Sequence, residues 1–300
     1  MRVFLTGATG FIGSAIVQEL IQAGHQVLGL ARSEANAKTL ITAGAQVHRG
    51  SLEDLDSLRS GASAADGVIH TAFIHDFNNY LPAAEKDKVA IETLGAALAG
   101  SGRPLIVTSG TLLLLRKGPR ATEQDVTNPS FPRKSEDAAL AVADDGVRVS
   151  LVRLPPSVHG DGDHGFVPAI INVAREKGVS AHIGNGLNRW PAVHRLDAAH
   201  LYRLVLEKGI AGGIYHGVAD EGVATREIAE VIGQRLDVPV VSKTTEEAPD
   251  HFGWISHFFG MDCPASSAKT QEQLGWYPNK PGLIADLDDM HYFEEQQAAA

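Results

Sequence analysis

In the first half of the chain, apolar residues fall in short unbroken runs separated by amphipathic stretches. Val3-Phe4-Leu5, Gln26-Val27-Leu28-Gly29-Leu30, Ala45-Gln46-Val47-His48, Gly67-Val68-Ile69-His70, Leu105-Ile106-Val107-Thr108 and the segment from Val147 to Leu154 have the length and composition of strands. Strands that are apolar throughout, rather than alternating, are buried on both faces, which is the habit of parallel sheets. Between them, Ile12, Ile16 and Leu20 share one helical face, and helices are predicted over about 81–99 and 134–143. Gly24 is placed to cap the first helix; Ser51 to Asp54 reads as a capping box for a short helix stopping at Gly61. These strands with helical crossovers predict an α/β fold, a doubly wound parallel sheet.

Pro155-Pro156 ends the regular alternation. Beyond it come shorter strands, glycine-rich loops and helices near 197–208 and 225–236, with Asp197 and Gly209 as expected caps of the first. Residues 1–155 therefore read as one domain and 156–300 as a smaller C-terminal α/β lobe, with segments near 190–220 returning to the sheet. Ligands of open α/β sheets bind beyond the carboxyl ends of the strands, so a cleft is expected there, closed by the lobe.

The turn after the first strand carries the strongest chemical signal. It reads Thr6-Gly7-Ala8-Thr9-Gly10-Phe11-Ile12-Gly13. Glycines at this spacing allow a tight turn, close approach of backbone to a pyrophosphate, and close helix–strand packing. Free N–H groups and the positive end of the helix dipole suit phosphate oxygens. Gly7, Thr9, Gly10, Phe11, Ile12 and Gly13 are thus candidate dinucleotide contacts.

Composition excludes several alternatives. The net charge of −10 argues against a nucleic-acid partner, which calls for clustered Lys and Arg. The single cysteine, Cys263, leaves no internal disulfide or thiolate metal site and is expected to be inert. No zinc-ligand spacing links His70, His75, His159 and His164, so no metal is expected. No apolar run nears the roughly 20 residues of a membrane span, and the first strand starts too early for a signal peptide. A cytoplasmic protein without a membrane partner is expected.

Further motifs join the glycine turn: Val68-Ile69-His70-Thr71-Ala72, Val107-Thr108-Ser109, Val152-Arg153-Leu154-Pro155-Pro156-x-Val158-x-Gly160, Val193-His194-Arg195-Leu196-Asp197 and Leu274-Gly275-Trp276-x-Pro278. Together they resemble the extended short-chain dehydrogenases/reductases, also called the NAD-dependent epimerase/dehydratase superfamily, in an atypical branch. The resemblance implies a Rossmann domain with a smaller substrate lobe, a nicotinamide cofactor, a small-molecule substrate and often a homodimer. Alanine-rich faces around 90–99 and 138–143 suit close helix packing, between copies or on the sheet.

An NAD enzyme of this kind places an acidic residue at the end of strand 2. Here Ala31 is followed by Arg32 and Ser33, a pair suited to a 2′-phosphate, so NADP is favoured with NAD left open. Ser51 replaces the family's Asp near the adenine, leaving that contact to Leu52. Thr71, Ala72 and Phe73 are expected by the phosphates and ribose; Pro155, Pro156, Ser157 and Val158 are expected by the nicotinamide, and Thr108 and Leu154 complete the cofactor set.

The family's Tyr transfers a proton, a Lys four residues on lowers its pKa, and a Ser orients the substrate oxygen. Ser109 matches the Ser, but no tyrosine lies between Tyr80 and Tyr202. Ungapped counting puts Asn128 and Pro132 at the Tyr and Lys positions; a small shift puts Phe131 and Ser135 there, with Lys134 adjacent. Candidate replacements are Lys134, His75, Asp76, Tyr80, Asp87, His159 and His164, histidine being suited to proton transfer near neutrality. The lobe offers Phe166, Trp190, His194 and Arg189, the last for a substrate diphosphate. The leading expectation is an NADP(H)-dependent oxidoreductase of a small ketone or secondary alcohol. The alternatives are a sugar-nucleotide epimerase or dehydratase and a non-enzymatic NADP-binding regulator.

Overall fold

The computed structural model describes residues 1–75 and 79–294. Strands β1 (Arg2–Thr6), β2 (Gln26–Ala31), β3 (Gln46–Arg49), β4 (Gly67–His70), β5 (Pro104–Gly110) and β6 (Arg148–Leu154) alternate with helices α1 (Phe11–Gln22), α2 (Glu34–Thr42), α3 (Leu55–Ser63), α4 (Tyr80–Leu98) and α5 (Ser135–Ala143). There follow β7 (Ser157–His159), α6 (Phe166–Lys177), β8 (Ser180–Ile183), β9 (Arg189–His194), α7 (Arg195–Lys208), β10 (Gly213–His216), β11 (Asp220–Ala224), α8 (Thr225–Leu236) and β12 (Val240–Lys243). Short helices α9 (Ala248–Phe252), α10 (Ser256–Phe259), α11 (Ala268–Leu274) and α12 (Leu283–Leu287) complete the order.

The main sheet has seven parallel strands in the order β10-β6-β5-β4-β1-β2-β3. It is the doubly wound Rossmann arrangement, and its order reverses between β1 and β4, where a crevice opens. Ile16 and Leu20 of α1, Leu40 of α2 and Leu201 and Val205 of α7 cover one face. Leu58 of α3, Ile91 and Leu94 of α4 and Ala138 and Ala139 of α5 cover the other. The alanines of α4 and α5 at 90, 138 and 139 are thus buried within the molecule.

The lobe carries a three-stranded sheet, β11-β9-β7, and a two-stranded one, β12-β8. Its apolar cluster gathers Ile170 and Ile171 of α6, Trp190 of β9, Ile228 of α8 and the aromatics Phe252 and Phe259. The chain also returns to the first layer further on than 190–220: Leu274 and Trp276 sit in the core beneath the sheet. Trp276 is fully buried and donates its indole N–H to the Asp197 carbonyl at 3.0 Å. That return was hidden because it is carried by the end of the short helix α11 and one large aromatic just beyond it, too little chain for a clear periodicity.

Three local readings are corrected by the geometry. The cap of α3 is Asp54, which accepts from Ser57 N, rather than Ser51. Gly61 does not end that helix; its missing Cβ makes room for the Phe4 ring, which a Cβ would meet at 2.4 Å. The cap of α7 is the His194 side chain, accepting from Leu196 N. Asp197 is instead buried and accepts from the N–H groups of Asn279 and Lys280, tying the late segment to α7.

A buried ion pair fixes the start of α5, and with it the segment 131–135 that borders the cleft. Arg153 of β6 donates to both Glu136 oxygens, at 2.8 and 2.7 Å, and reaches the Glu123 carbonyl at 3.4 Å. Glu123 in turn accepts from Thr270 N and Oγ1 of α11, linking the loop after β5 to the far end of the chain. Leaving one charge of such a pair uncompensated is costly, about 3–5 kcal/mol. Arg153→Met is therefore expected to lower the unfolding free energy by about that amount, and Glu136→Leu/Arg153→Met to recover most of the loss. Urea unfolding of the two variants against the parent checks this; equal stability of the single variant would contradict it.

Candidate functional site

The glycine turn packs as its spacing demands. Gly7 has a positive φ of 73°, and a Cβ there would lie 2.7 Å from Thr71 Oγ1 and 2.8 Å from Ala72 N. A Cβ on Gly13 would meet the Gly7 carbonyl oxygen at 1.9 Å, so α1 can approach the end of β1 only because Gly13 lacks one. Gly10 donates its N–H to Gly7 O at 2.9 Å and forms the N-cap of α1 without a side-chain hydrogen bond. The caps of α2 and α3, Ser33 and Asp54, use their side chains for that task. The first-turn N–H groups of α1 are thus left for a ligand, and they open on a cleft of about 1830 Å³. That volume exceeds the usual range for one small ligand, and the cradle fits a dinucleotide diphosphate.

Along this cleft lie Gly7, Thr9, Gly10, Phe11, Ile12 and Gly13, then Arg32, Leu52, Thr71, Ala72, Phe73, Thr108, Leu154, Pro155, Pro156 and Val158. Two of the expected cofactor residues are elsewhere. Ser33 accepts from Asn36 N and donates to Asn36 Oδ1 at 2.6 Å, so capping α2 uses its hydroxyl. Ser157 points away from its cleft-lining neighbours 156 and 158, as strand alternation requires, and is buried. Asn36, which the sequence reading passed over, lines the cleft and donates to Thr9 Oγ1 at 2.7 Å. Among the described residues Arg32 makes no hydrogen bond or ion pair, whereas nearby Arg49 is held by the Ser33 carbonyl and Glu34.

At the end of β5, Ser109 lines the cleft and is only 3 % exposed, and its hydroxyl has no hydrogen-bond partner. Thr108 before it is fully engaged: its hydroxyl donates to the His70 carbonyl at 2.8 Å and accepts from the buried Tyr202 hydroxyl at 2.6 Å. Of the two placements for the absent tyrosine, Phe131 lines the cleft and Asn128 does not. Lys134 also lies off the cleft, its ammonium bonded to the Pro129 carbonyl at 2.9 Å. The cation beside Ser109 is Arg133. Its guanidinium lies 4.1 Å over the Phe73 ring and donates to the Thr108 carbonyl at 3.0 Å and to Ser135 Oγ at 2.8 Å.

Behind Arg133 runs a buried polar chain. Ser135 donates to Asp87 Oδ2, Asp87 Oδ1 accepts from His70 Nε2 at 3.1 Å, and His70 Nδ1 accepts from Thr6 Oγ1 at 2.8 Å. Burial alone would push the Asp87 carboxyl up, but the His70 hydrogen bond, the Arg133 charge and the Ser135 hydroxyl outweigh it and hold it below the usual range. His75 and Tyr80 line the cleft near Phe73. Crowding by the protein, then the charges of Arg133 and His164, lowers His75; burial raises Tyr80, so it keeps its proton at neutral pH. Asp76 falls outside the described residues.

Across the cleft, His164 and Phe166 are cleft residues, while His159 is wholly buried with its Nδ1 2.8 Å from Asp286 Oδ2. Trp190 belongs to the lobe core, and neither it nor His194 lines the cleft. Arg189 is held by Asp262 at 3.1 Å outside the cleft, which removes it as a diphosphate ligand. Asp163 was not singled out from the sequence. It is a cleft residue whose burial drives its carboxyl up to about 6, against hydrogen bonds from Gly165 N and the Tyr292 hydroxyl. Burial also pushes the Cys263 thiol up to about 12, which makes it a poor nucleophile. Among the described residues no cluster of His, Cys, Asp and Glu is arranged to hold a metal ion, and no helix is long and apolar enough to cross a membrane.

Comparison with known proteins accords with this geometry. The NAD dependent epimerase/dehydratase family matches residues 3–93. An uncharacterised protein of Schizosaccharomyces pombe is 55% identical over 98% of this chain and 100% of its own length. The sterol-4-alpha-carboxylate 3-dehydrogenase (decarboxylating) of Dictyostelium discoideum is 30% identical over 75% of this chain and 74% of its own. In fold, the chain is similar to the dTDP-glucose 4,6-dehydratase DesIV of Streptomyces venezuelae, solved with NAD and TYD bound, at a TM-score of 0.77 and 20% identity over 99% of this chain and 98% of that one. With its glycine turn, switch-point cleft and β5 serine, the chain belongs to the NAD-dependent epimerase/dehydratase family of extended short-chain dehydrogenases/reductases.

Proposed function

We propose that the protein is an NADP(H)-dependent oxidoreductase that moves a hydride between the cofactor and a ketone or secondary alcohol. The observation that carries this reading is Ser109: a buried hydroxyl without a partner, at the carboxyl end of a central strand, facing the same cleft as the glycine turn. Leaving a buried polar group unpaired costs free energy, and an oxygen of a substrate in the cleft would pair this one. The bound cofactor would supply or accept the hydride; the α1 N-terminus, Thr71 and Ala72 would hold its diphosphate. Arg32, exposed at the end of β2 where NAD enzymes carry an acid, supports NADP over NAD.

Ser109 donates a hydrogen bond to the substrate oxygen and orients it. The Arg133 charge, anchored on the Thr108 carbonyl, favours the negative charge that grows on that oxygen. Phe131 has no proton to give, so the donor must be another wall residue; Tyr80 and His75 are the candidates on the Rossmann side. Sugar-nucleotide epimerisation or dehydration has less support, because it needs an activated base and a diphosphate grip. Phe131 offers no base and Arg189 is engaged outside the cleft.

Two measurements test this reading. Arg32→Ala is expected to weaken NADPH binding by about 10- to 100-fold and NADH by no more than about 3-fold in calorimetry, as loss of a bidentate phosphate contact implies. Equal losses would remove the phosphate grip. Ser109→Ala is expected to cut kcat/KM for carbonyl reduction about 100-fold while leaving NADPH affinity unchanged. Tight NADPH binding by the parent without turnover of any ketone or aldehyde would instead favour a regulator.

A further inference from the structure

The two ends of the cleft differ in chemistry, and from that difference we infer that the substrate end takes a flat aromatic group carried on the same molecule as the reacting carbonyl rather than a nucleoside diphosphate. This assignment rests on the carbonyl reading above for the position of the reacting oxygen, and on the lobe residues for everything else.

The wall is continuous with Ser109. A 3-10 turn, Thr111–Leu113, follows β5 directly, and both Leu112 and Leu113 line the cleft. Leu112 packs against the same lobe cluster that holds Phe166 and Phe258. Facing it, Phe166 opens α6, stacks on Phe258 with ring centres 5.4 Å apart and an interplanar angle of 23°, and meets Trp254 at 5.8 Å. Buried Trp190 supports Phe166 from behind at 5.6 Å. Trp254 lines the cleft and is 50 % exposed. The half-exposed Trp254 ring beside the half-buried Phe166 and Phe258 gives this end of the cleft an aromatic lining, against which a ligand ring packs in offset or tilted geometry.

Charge points the same way. Among the described residues, the arginines and lysines lining the cleft are Arg32, Arg133 and Arg175. Arg32 lies at the cofactor end, and Arg133 stands beside Ser109. Arg175 is already spent on Asn172 Oδ1 at 3.1 Å and on the carbonyls of Tyr292 and Phe293 at 3.3 and 3.1 Å. The other titratable groups at this end are His164, His257 and His291, with the acids Asp163 and Glu294. A diphosphate would meet aromatic faces and carboxylates with no available guanidinium. A neutral ring would lose nothing by entering.

A matched pair of ketones tests the assignment: 4-phenyl-2-butanone and 2-butanone, which share the carbonyl and differ by the ring. Each is titrated into the NADP-saturated full chain, with tryptophan fluorescence and calorimetry as readouts, and each is assayed for NADPH consumption. The phenyl ketone is expected to bind about 30-fold more tightly, from burial of its ring. Trp254→Ala, an exposed position that should not disturb folding, and Phe258→Leu are each expected to reduce that preference to about 5-fold or less. UDP-glucose is expected to give no binding heat. A ring preference in the titrations without turnover of either ketone would still support the aromatic pocket, while overturning the oxidoreductase reading. Equal affinity for the two ketones, a preference untouched by both variants, or UDP-glucose binding more tightly than the phenyl ketone would overturn the pocket assignment, whatever the turnover.

Discussion

A single buried carboxylate holds this cleft in shape. Asp87 projects from α4 and, through His70, reaches β4 and then Thr6 of β1; through Ser135 it reaches the start of α5. Thr6 precedes the glycine turn, and Arg133 sits 3.6 Å from the same carboxylate. The strand that starts the cofactor turn and the segment that carries the site's cation are therefore joined through one ionised group. Such a charge is tolerated in the interior only because each of its oxygens is matched, one by an imidazole N–H and one by a hydroxyl, with a guanidinium close by. Remove any member and the others face an unpaired charge, so the whole set is expected to be kept or lost together.

The same chain fixes the segment 131–135 that borders the cleft. Phe131 lines the cleft with a ring that has no proton to give, and Ser135 points inward to Asp87. The positive charge of this segment at the cleft is that of Arg133, braced on the Phe73 ring and the Thr108 carbonyl. A guanidinium keeps its charge at any physiological pH, whereas a lysine's function in this family is to tune a neighbour's ionisation. The site is thereby suited to electrostatic assistance more than to base catalysis.

Much of this was legible in the sequence. The central strands β1, β2, β4, β5 and β6 are largely apolar because the sheet is covered on both faces, the edge strand β3 less so, and that pattern is local. The glycine turn was legible for the same reason: Gly13 answers to Gly7 and Ala8 within the turn itself, although Gly7 also answers to Thr71 and Ala72 far along the chain. What failed to show was anything settled by distant partners. Asp197 looked like a helix cap, yet its oxygens belong to Asn279 and Lys280. Ser33 looked like a phosphate ligand, yet the helix behind it claims its hydroxyl. Lys134 and Arg133 are neighbours, and nothing in their order says which one turns into the cleft. Asp163 and Tyr292 are far apart in the chain, so their meeting carried no sequence signal.

Tyr292 shares hydrogen-bonding distance with Gly160 N, Asp163 and Asp286, and its own neighbours His291 and Glu294 border the cleft. The wall opposite the Rossmann layer is thus finished by residues that leave the ribosome after every strand of both layers. Nascent chains fold largely from the amino terminus onward. The glycine turn and strands β1 to β6 therefore emerge long before β10, Trp276 and this wall, so both halves of the pocket wait for the last turns of the chain to be completed.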